Sequence, residues 1–153
     1  MKVLLLMPPY PKSKIFRKSM KHLGAVLPPL GIAYIAAVLE KEGHDVKIID
    51  GPAQANIEGY GFDELRRDVS TFNPDVAGVS ASLSQIDLAK EALKIVKEIN
   101  PKVLTVVGGP LVSADPNALL GLKDADYGVY GEADLTFVKI LEAYKKGKKL
   151  NGM

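Results

Sequence analysis

At 153 residues, 47% apolar, 7% aromatic and 25% charged, the chain suits one domain with a buried core and is too apolar to be disordered or fibrous. No apolar run is long enough to span a bilayer and the first residues show no signal peptide, so a soluble cytoplasmic protein without a membrane partner is expected. The lack of cysteine and a formal charge of only +2 exclude disulfides, thiolate catalysis and iron–sulfur ligation within these residues, and argue against a nucleic-acid partner.

Lys2–Met7 is the first expected strand, a β-rich apolar run that ends in Pro8-Pro9. The next helical period starts near Pro29, leaving a connection of about 20 residues where a compact α/β unit needs about 2–6. Long connections of this kind are usually binding loops or lids. Residues 1–39 hold Lys2, Lys12, Lys14, Arg17, Lys18 and Lys21 with no acid, which is +6 and leaves −4 for the rest. The stretch 12–21 is read either as a solvated loop or as a face toward an anionic ligand or a partner.

Pro28-Pro29-Leu30-Gly31 opens a helix whose face is Ile32, Ile35, Ala36 and Leu39. Proline suits a first helical turn and Gly31 permits close approach, though plain capping explains the prolines equally well. A second strand, Asp45–Asp50, runs into residues 51–61, expected as a loop on the strength of Gly51, Gly59 and Gly61. Phe62, Leu65, Val69 and Phe72 form a short helix face ended by Asn73-Pro74. The third strand, Val76–Ser80, continues into Ser80-Ala81-Ser82-Leu83-Ser84, and Ala89, Ala92, Leu93 and Val96 mark the helix that follows, ended by Asn100-Pro101. The fourth strand, Val103–Val107, meets Gly108-Gly109-Pro110; a weaker helix near 116–122 precedes the fifth, Tyr127–Tyr130. Gly131-Glu132-Ala133-Asp134 then turns into a helix faced by Phe137, Ile140, Leu141 and Tyr144, with Lys145, Lys146, Lys148 and Lys149 suiting its C-terminal dipole.

Strands alternating with helices predict an α/β fold: a flavodoxin-like, Rossmann-like, three-layer α/β/α domain on a five-stranded parallel sheet of order 2-1-3-4-5. In that topology a ligand lies beyond the carboxyl ends of the strands, beside the first and third. Small hydroxylated residues after the third strand and paired glycines after the fourth remove bulk and leave backbone N–H groups and hydroxyls toward one slot, suited to a long polar tail. Serine and glycine are also ordinary turn residues, and Glu132 and Asp134 also suit a helix N-terminus. No GxGxxG follows the first strand and no GxxxxGK occurs, so dinucleotide and P-loop sites are not expected. The acids of a phosphoacceptor receiver and the hydroxyl-rich loop of a flavodoxin are also missing from their places. The two histidines, His22 and His44, are read as loop and turn residues rather than metal ligands.

In this order, Lys2–Pro9, Pro28–Leu39, Gly43-His44-Asp45-Val46, Asn73-Pro74-Asp75-Val76, Val107–Pro110 and Tyr130-Gly131-Glu132 resemble the N-terminal cobalamin-binding domain of cobalamin-dependent radical S-adenosylmethionine proteins. The likeness runs over about residues 2–147. It implies a corrin ring on the carboxyl edge of the sheet and a nucleotide tail in a slot near Ser80, Ser82, Gly108 and Gly109. It further implies cofactor contacts at Pro8, Pro9, Pro28, Pro29, Leu30, Gly31, Leu83, Pro110, Gly131 and Glu132. The Asp-x-His-x-x-Gly turn of histidine-ligating carriers is absent, which implies base-off, His-off cobalamin and a methyl-carrying role. The family's CxxxCxxC cluster motif is absent as well. The 4Fe-4S cluster, S-adenosylmethionine and the radical barrel would then belong to a further domain, with residues 148–153 as the start of a linker and this domain a non-catalytic carrier. The alternative expectation is a cofactor-free interaction or substrate-recognition domain of the same fold.

Overall fold

A computed structural model describes residues 1–10 and 27–148, side chains of residues 56–58 excepted. The basic stretch 12–21, His22 and most of the expected linker, from 149 on, lie outside the described residues. Five strands form one parallel sheet: β1 Lys2–Met7, β2 Asp45–Asp50, β3 Val76–Ser80, β4 Leu104–Gly108 and β5 Tyr127–Gly128, in the order β2-β1-β3-β4-β5. The helices are α1 Leu30–Lys41, α2 Gly51–Glu58, α3 Phe62–Phe72, α4 Ile86–Ile99, α5 Pro110–Ala114 and α6 Asp134–Lys145. The expected fold class and strand order hold.

Both faces of the sheet are covered, so central strands read as unbroken apolar runs while side chains still alternate between two cores. Val3 and Leu5 of β1, with Val76, Leu104 and Val106, pack beneath α1 and α6 against Ile32, Ala36, Leu39, Phe137, Ile140 and Leu141. Leu4 and Leu6, with Ala77, Val79 and Val107, pack against Leu65 and Val69 of α3 and Ala89, Leu93 and Val96 of α4. The register sets Leu5 beside Gly78, Gly78 beside Val106, and Ser80 beside Gly108. Those residues consequently share the α1/α6 face.

Four expectations change. Residues 51–58 are helical rather than loop: Asp50 caps the helix by accepting from Ala53 N at 3.1 Å, Pro52 fills the first turn, and Gly59 closes it in the left-handed region. β4 is shifted by one residue, to Leu104–Gly108, and β5 is only two residues long. Val129 N still donates to Val107 O at 2.8 Å, but the chain then leaves the edge through Gly131 at φ +72°. The segment near 116–122 is a 3₁₀ turn, Pro116–Gly121, following the short α5. β5 is held from below by Asp126, whose Oδ2 accepts from Lys97 Nζ at 2.6 Å, Thr105 N at 2.8 Å and Thr105 Oγ1 at 2.9 Å.

A cavity at the carboxyl edge of the sheet

β2 and β3 flank β1 on opposite sides, so the connections leaving β1 and β3 diverge and open a crevice above their carboxyl ends. A cavity of about 460 Å³ enters there and runs down between the sheet and the pair α1 and α6. At its upper part it is bordered by Gly31, Ser80, Gly108, Gly109, Pro110, Ser113, Gly131 and Glu132. Lower down it meets Leu5, Gly78 and Val106 from the strands, Ile32 and Ile35 from α1, and Phe137 from α6. The size is that of a small-molecule site.

Missing side chains make this space. A Cβ on Gly108 would have only Val129 O, at 3.9 Å, and Val129 Cβ, at 4.0 Å, as neighbours, so any larger residue at 108 projects into the cavity. A Cβ on Gly31 or Gly131 would meet nothing within 4 Å. Gly109 differs: its φ is +94°, and a Cβ would lie 2.9 Å from Ser80 Oγ and 3.0 Å from Ala81 O. Only glycine serves there, since the tight turn presses β4's end against β3's. Ala81 N donates to Gly108 O at 3.0 Å and Leu111 N donates to Ala81 O at 2.9 Å. These two main-chain donors therefore bind within the turn. The polar side chains bordering the cavity are Ser80, Ser113 and Glu132, and Ser113 Oγ accepts from Gly131 N at 3.1 Å.

Gly31, Ser80, Gly108, Gly109, Pro110, Gly131 and Glu132 are thus brought to one cavity, while the other expected contacts lie outside its lining. The Ser82 hydroxyl donates to Gln85 Oε1 at 3.0 Å, and Gln85 Nε2 donates to the Tyr10 hydroxyl at 3.0 Å. That chain joins the ends of β1 and β3 on the rim. Pro8 and Pro9 are buried, and the start of α2 crowds this turn: a Cβ on Gly51 would lie 2.5 Å from Pro9 N and 2.6 Å from Met7 O. Pro28, Pro29, Leu30 and Leu83 belong to the outer edge; with Leu27, Tyr130 and Leu135 they give it five large apolar side chains, Leu27, Leu30, Leu83, Tyr130 and Leu135, each at least 65% exposed.

The lower lining, Gly78 and Phe137 above all, was missed in the sequence, as was Ser113. Period-two alternation could have found Gly78, two residues below Ser80 on the same strand face. Phe137 and Ser113 enter through helices whose placement only packing fixes. Among the described residues no group of His, Cys, Asp and Glu could hold a metal ion, and no helix is long and apolar enough to cross a membrane.

The sequence model described as the B12 binding domain matches residues 18–141. The chain is 39% identical to an uncharacterized methyltransferase of Pyrococcus horikoshii, covering 100% of this chain and 31% of that protein. It is 34% identical to the cytidylyl-2-hydroxyethylphosphonate methyltransferase of Streptomyces wedmorensis, covering 92% of this chain and 28% of that one. The chain therefore spans less than a third of either relative. A solved cobalamin-dependent S-adenosylmethionine radical enzyme superposes with a TM-score of 0.67 at 20% identity, over 97% of this chain and 19% of that one, and shares the fold. With its sheet order, its edge cavity and this match over most of its length, the chain belongs to the B12-binding domain family.

Proposed function

We propose that the chain holds cobalamin as the methyl-carrier domain of a radical S-adenosylmethionine methyltransferase, residues 1–147 forming the carrier and 148–153 leading toward the rest. The observation that carries this reading is the cavity beside Gly108 and Gly109, open at the carboxyl edge and free of large side chains at the tops of β3 and β4. A slim arm fits it, while the broad apolar rim of Leu30, Leu83 and Tyr130 suits a flat ring with amides at its periphery. Ser80 and Ser113 would hold the arm near the mouth, and Glu132 would accept from amide N–H groups of the ring's edge.

Bound cobalamin supplies a cobalt centre that can accept and release a methyl group, the form carried being methylcobalamin. This chain's share is to bind, orient and shelter it. Radical generation, with S-adenosylmethionine and a 4Fe-4S cluster, is assigned to the remainder of a longer protein, in keeping with relatives that are methyltransferases more than three times this length.

The base-off, His-off state rests on the absence of an Asp-x-His-x-x-Gly turn from the sequence. Of the described residues only His44 is a histidine, and it sits in the turn before β2, at the opposite end of the sheet from the cavity. Its Nδ1 is buried without a partner, and burial, helped by the nearby N-terminus and Lys145, lowers its pKa below the ordinary value. Titrating the chain with hydroxocobalamin at tens of micromolar, reading the visible spectrum and gel-filtration co-elution, tests both parts. The expected result is retained corrinoid with a base-off spectrum; a corrinoid that elutes separately refutes binding, and a base-on spectrum of the bound form refutes the ligation state.

A further inference from the structure

Resting on that binding reading, we infer that the cavity also selects among corrinoids by the base that ends their nucleotide tail, taking apolar aryl bases and disfavouring purines. The strand register carries this. At the top, Ser80 stands beside Gly108; two residues lower, on the same face, Gly78 stands beside Val106, with Leu5 on its other side. Two residues of strand are about 6.6 Å. The polar side chains of the lining, Ser80, Ser113 and Glu132, come from a strand end, a short helix and a surface turn, all near the mouth. Below them the lining is hydrocarbon from every side: Leu5 and Val106 from the sheet, Ile32 and Ile35 from α1, and Phe137 from α6.

Main-chain groups do not relieve this. Gly78 and Val106 lie inside parallel ladders, where their N–H and C=O groups serve neighbouring strands. A benzimidazole or phenolic base entering the floor loses little, because its ring edge is mostly carbon. Adenine carries an exocyclic amine and ring nitrogens, which would be stripped of water and left without partners. A site discriminates strongly on such unpaired groups and weakly on size. One unpaired group corresponds to about a tenfold loss of affinity or more.

The test compares three corrinoids on the 153-residue chain by equilibrium dialysis and visible absorbance: a p-cresolyl cobamide, an adeninyl cobamide and cobinamide, which has no base. The cresolyl base cannot coordinate cobalt and adenine does so weakly, so displacing the base adds little to either affinity. The cresolyl form is expected to bind at least about tenfold more tightly than the adeninyl form, and cobinamide more weakly than the cresolyl form. Val106→Thr, which keeps β-branching and adds a hydroxyl to the floor, should narrow the cresolyl-to-adeninyl ratio; Ile35→Gln, on the half-buried α1 wall, replaces it if that variant fails to fold by circular dichroism. Equal affinities, or cobinamide equal to the cresolyl form, would overturn the inference while leaving corrinoid binding intact. A ratio unchanged by the floor variant places the selectivity in the free corrinoids and overturns it too. Binding of none of the three refutes the carrier reading itself.

Discussion

Gly108 and Gly109 are neighbours in sequence but opposite in what a side chain would do, and that contrast is the sharpest check on the site. At 108 a Cβ finds nothing nearer than 3.9 Å and the residue ends a strand with its side facing the cavity. Gly108→Leu therefore leaves the fold within about 1 kcal/mol of wild type, helped by the entropy that glycine loses on folding, while filling the mouth. Expelling or compressing a tail there costs about 1–3 kcal/mol by analogy with overpacked cores. Hydroxocobalamin affinity should fall about 5- to 140-fold at 1.4 kcal/mol per tenfold. At 109 the backbone lies at φ +94° and a Cβ would press on Ser80 Oγ at 2.9 Å and Ala81 O at 3.0 Å. Gly109→Ala should therefore cost about 2–3 kcal/mol of stability, lowering the melting temperature by roughly 5–10 °C. Spectroscopic titration and thermal circular dichroism on both variants separate the two effects. Wild-type affinity in Gly108→Leu would refute the placement of the tail, and a melting loss in that variant as large as in Gly109→Ala would refute the steric argument.

Acid should unfold the protein partly through Asp126 and Asp68. Burial opposes the charge of each, but Lys97 and Thr105 hold Asp126, and Lys47 and Tyr60 hold Asp68, below the ordinary carboxylate range. Lowered folded-state pKa values mean that the stability they contribute is full above the unfolded value of about 3.9 and is lost as pH falls through the folded ones. Solvent screens both groups, so about 1 kcal/mol each is expected. Urea midpoints of Asp68→Asn/Asp126→Asn should fall less than wild type's between pH 5 and pH 2.5, and parallel curves would contradict this. Gly78→Ala would set a Cβ 2.8 Å from Leu5 Cδ2 and 3.0 Å from the Phe137 ring; a loss of about 1–2 kcal/mol in chemical denaturation is expected, and a neutral result would show that the cavity floor yields. Asp50→Ala removes the cap of α2 and should cost about 1 kcal/mol, with no loss in the same assay arguing that Pro52 alone fixes that helix start.

Patterns confined to a few neighbouring residues were legible in the chain itself. Unbroken apolar runs such as Val3–Leu6, the i, i+3, i+4, i+7 faces of α1, α4 and α6, and the Asn-Pro stops gave the alternation of strands and helices, because burial on both faces and helical period leave local marks, and the right-handed crossover rule turned that alternation into a strand order. The cap at Asp50, proline at 52 and glycine at 59 also lay in the chain, and α2 was overlooked because its glycines outweighed its cap. Gly108, Gly109 and Ser80 stood out as sites without bulk, and the fold does gather them.

Which of two nearby small residues faces the cavity depended on where the strand ended. Ser80 closes β3 with its side toward α1 and α6, whereas Ser82 has already turned toward Gln85 and Tyr10. Gly78, Phe137, Ile35 and Ser113 sit on four different elements, and no spacing along a sequence expresses the distance between them. Amino-acid order by itself determined the periodicities, and with them, through the general rules of α/β crossovers, the layers. Tertiary packing decided the site, because a cavity is made by what two helices fail to fill against a sheet, and that shortfall belongs to no single segment.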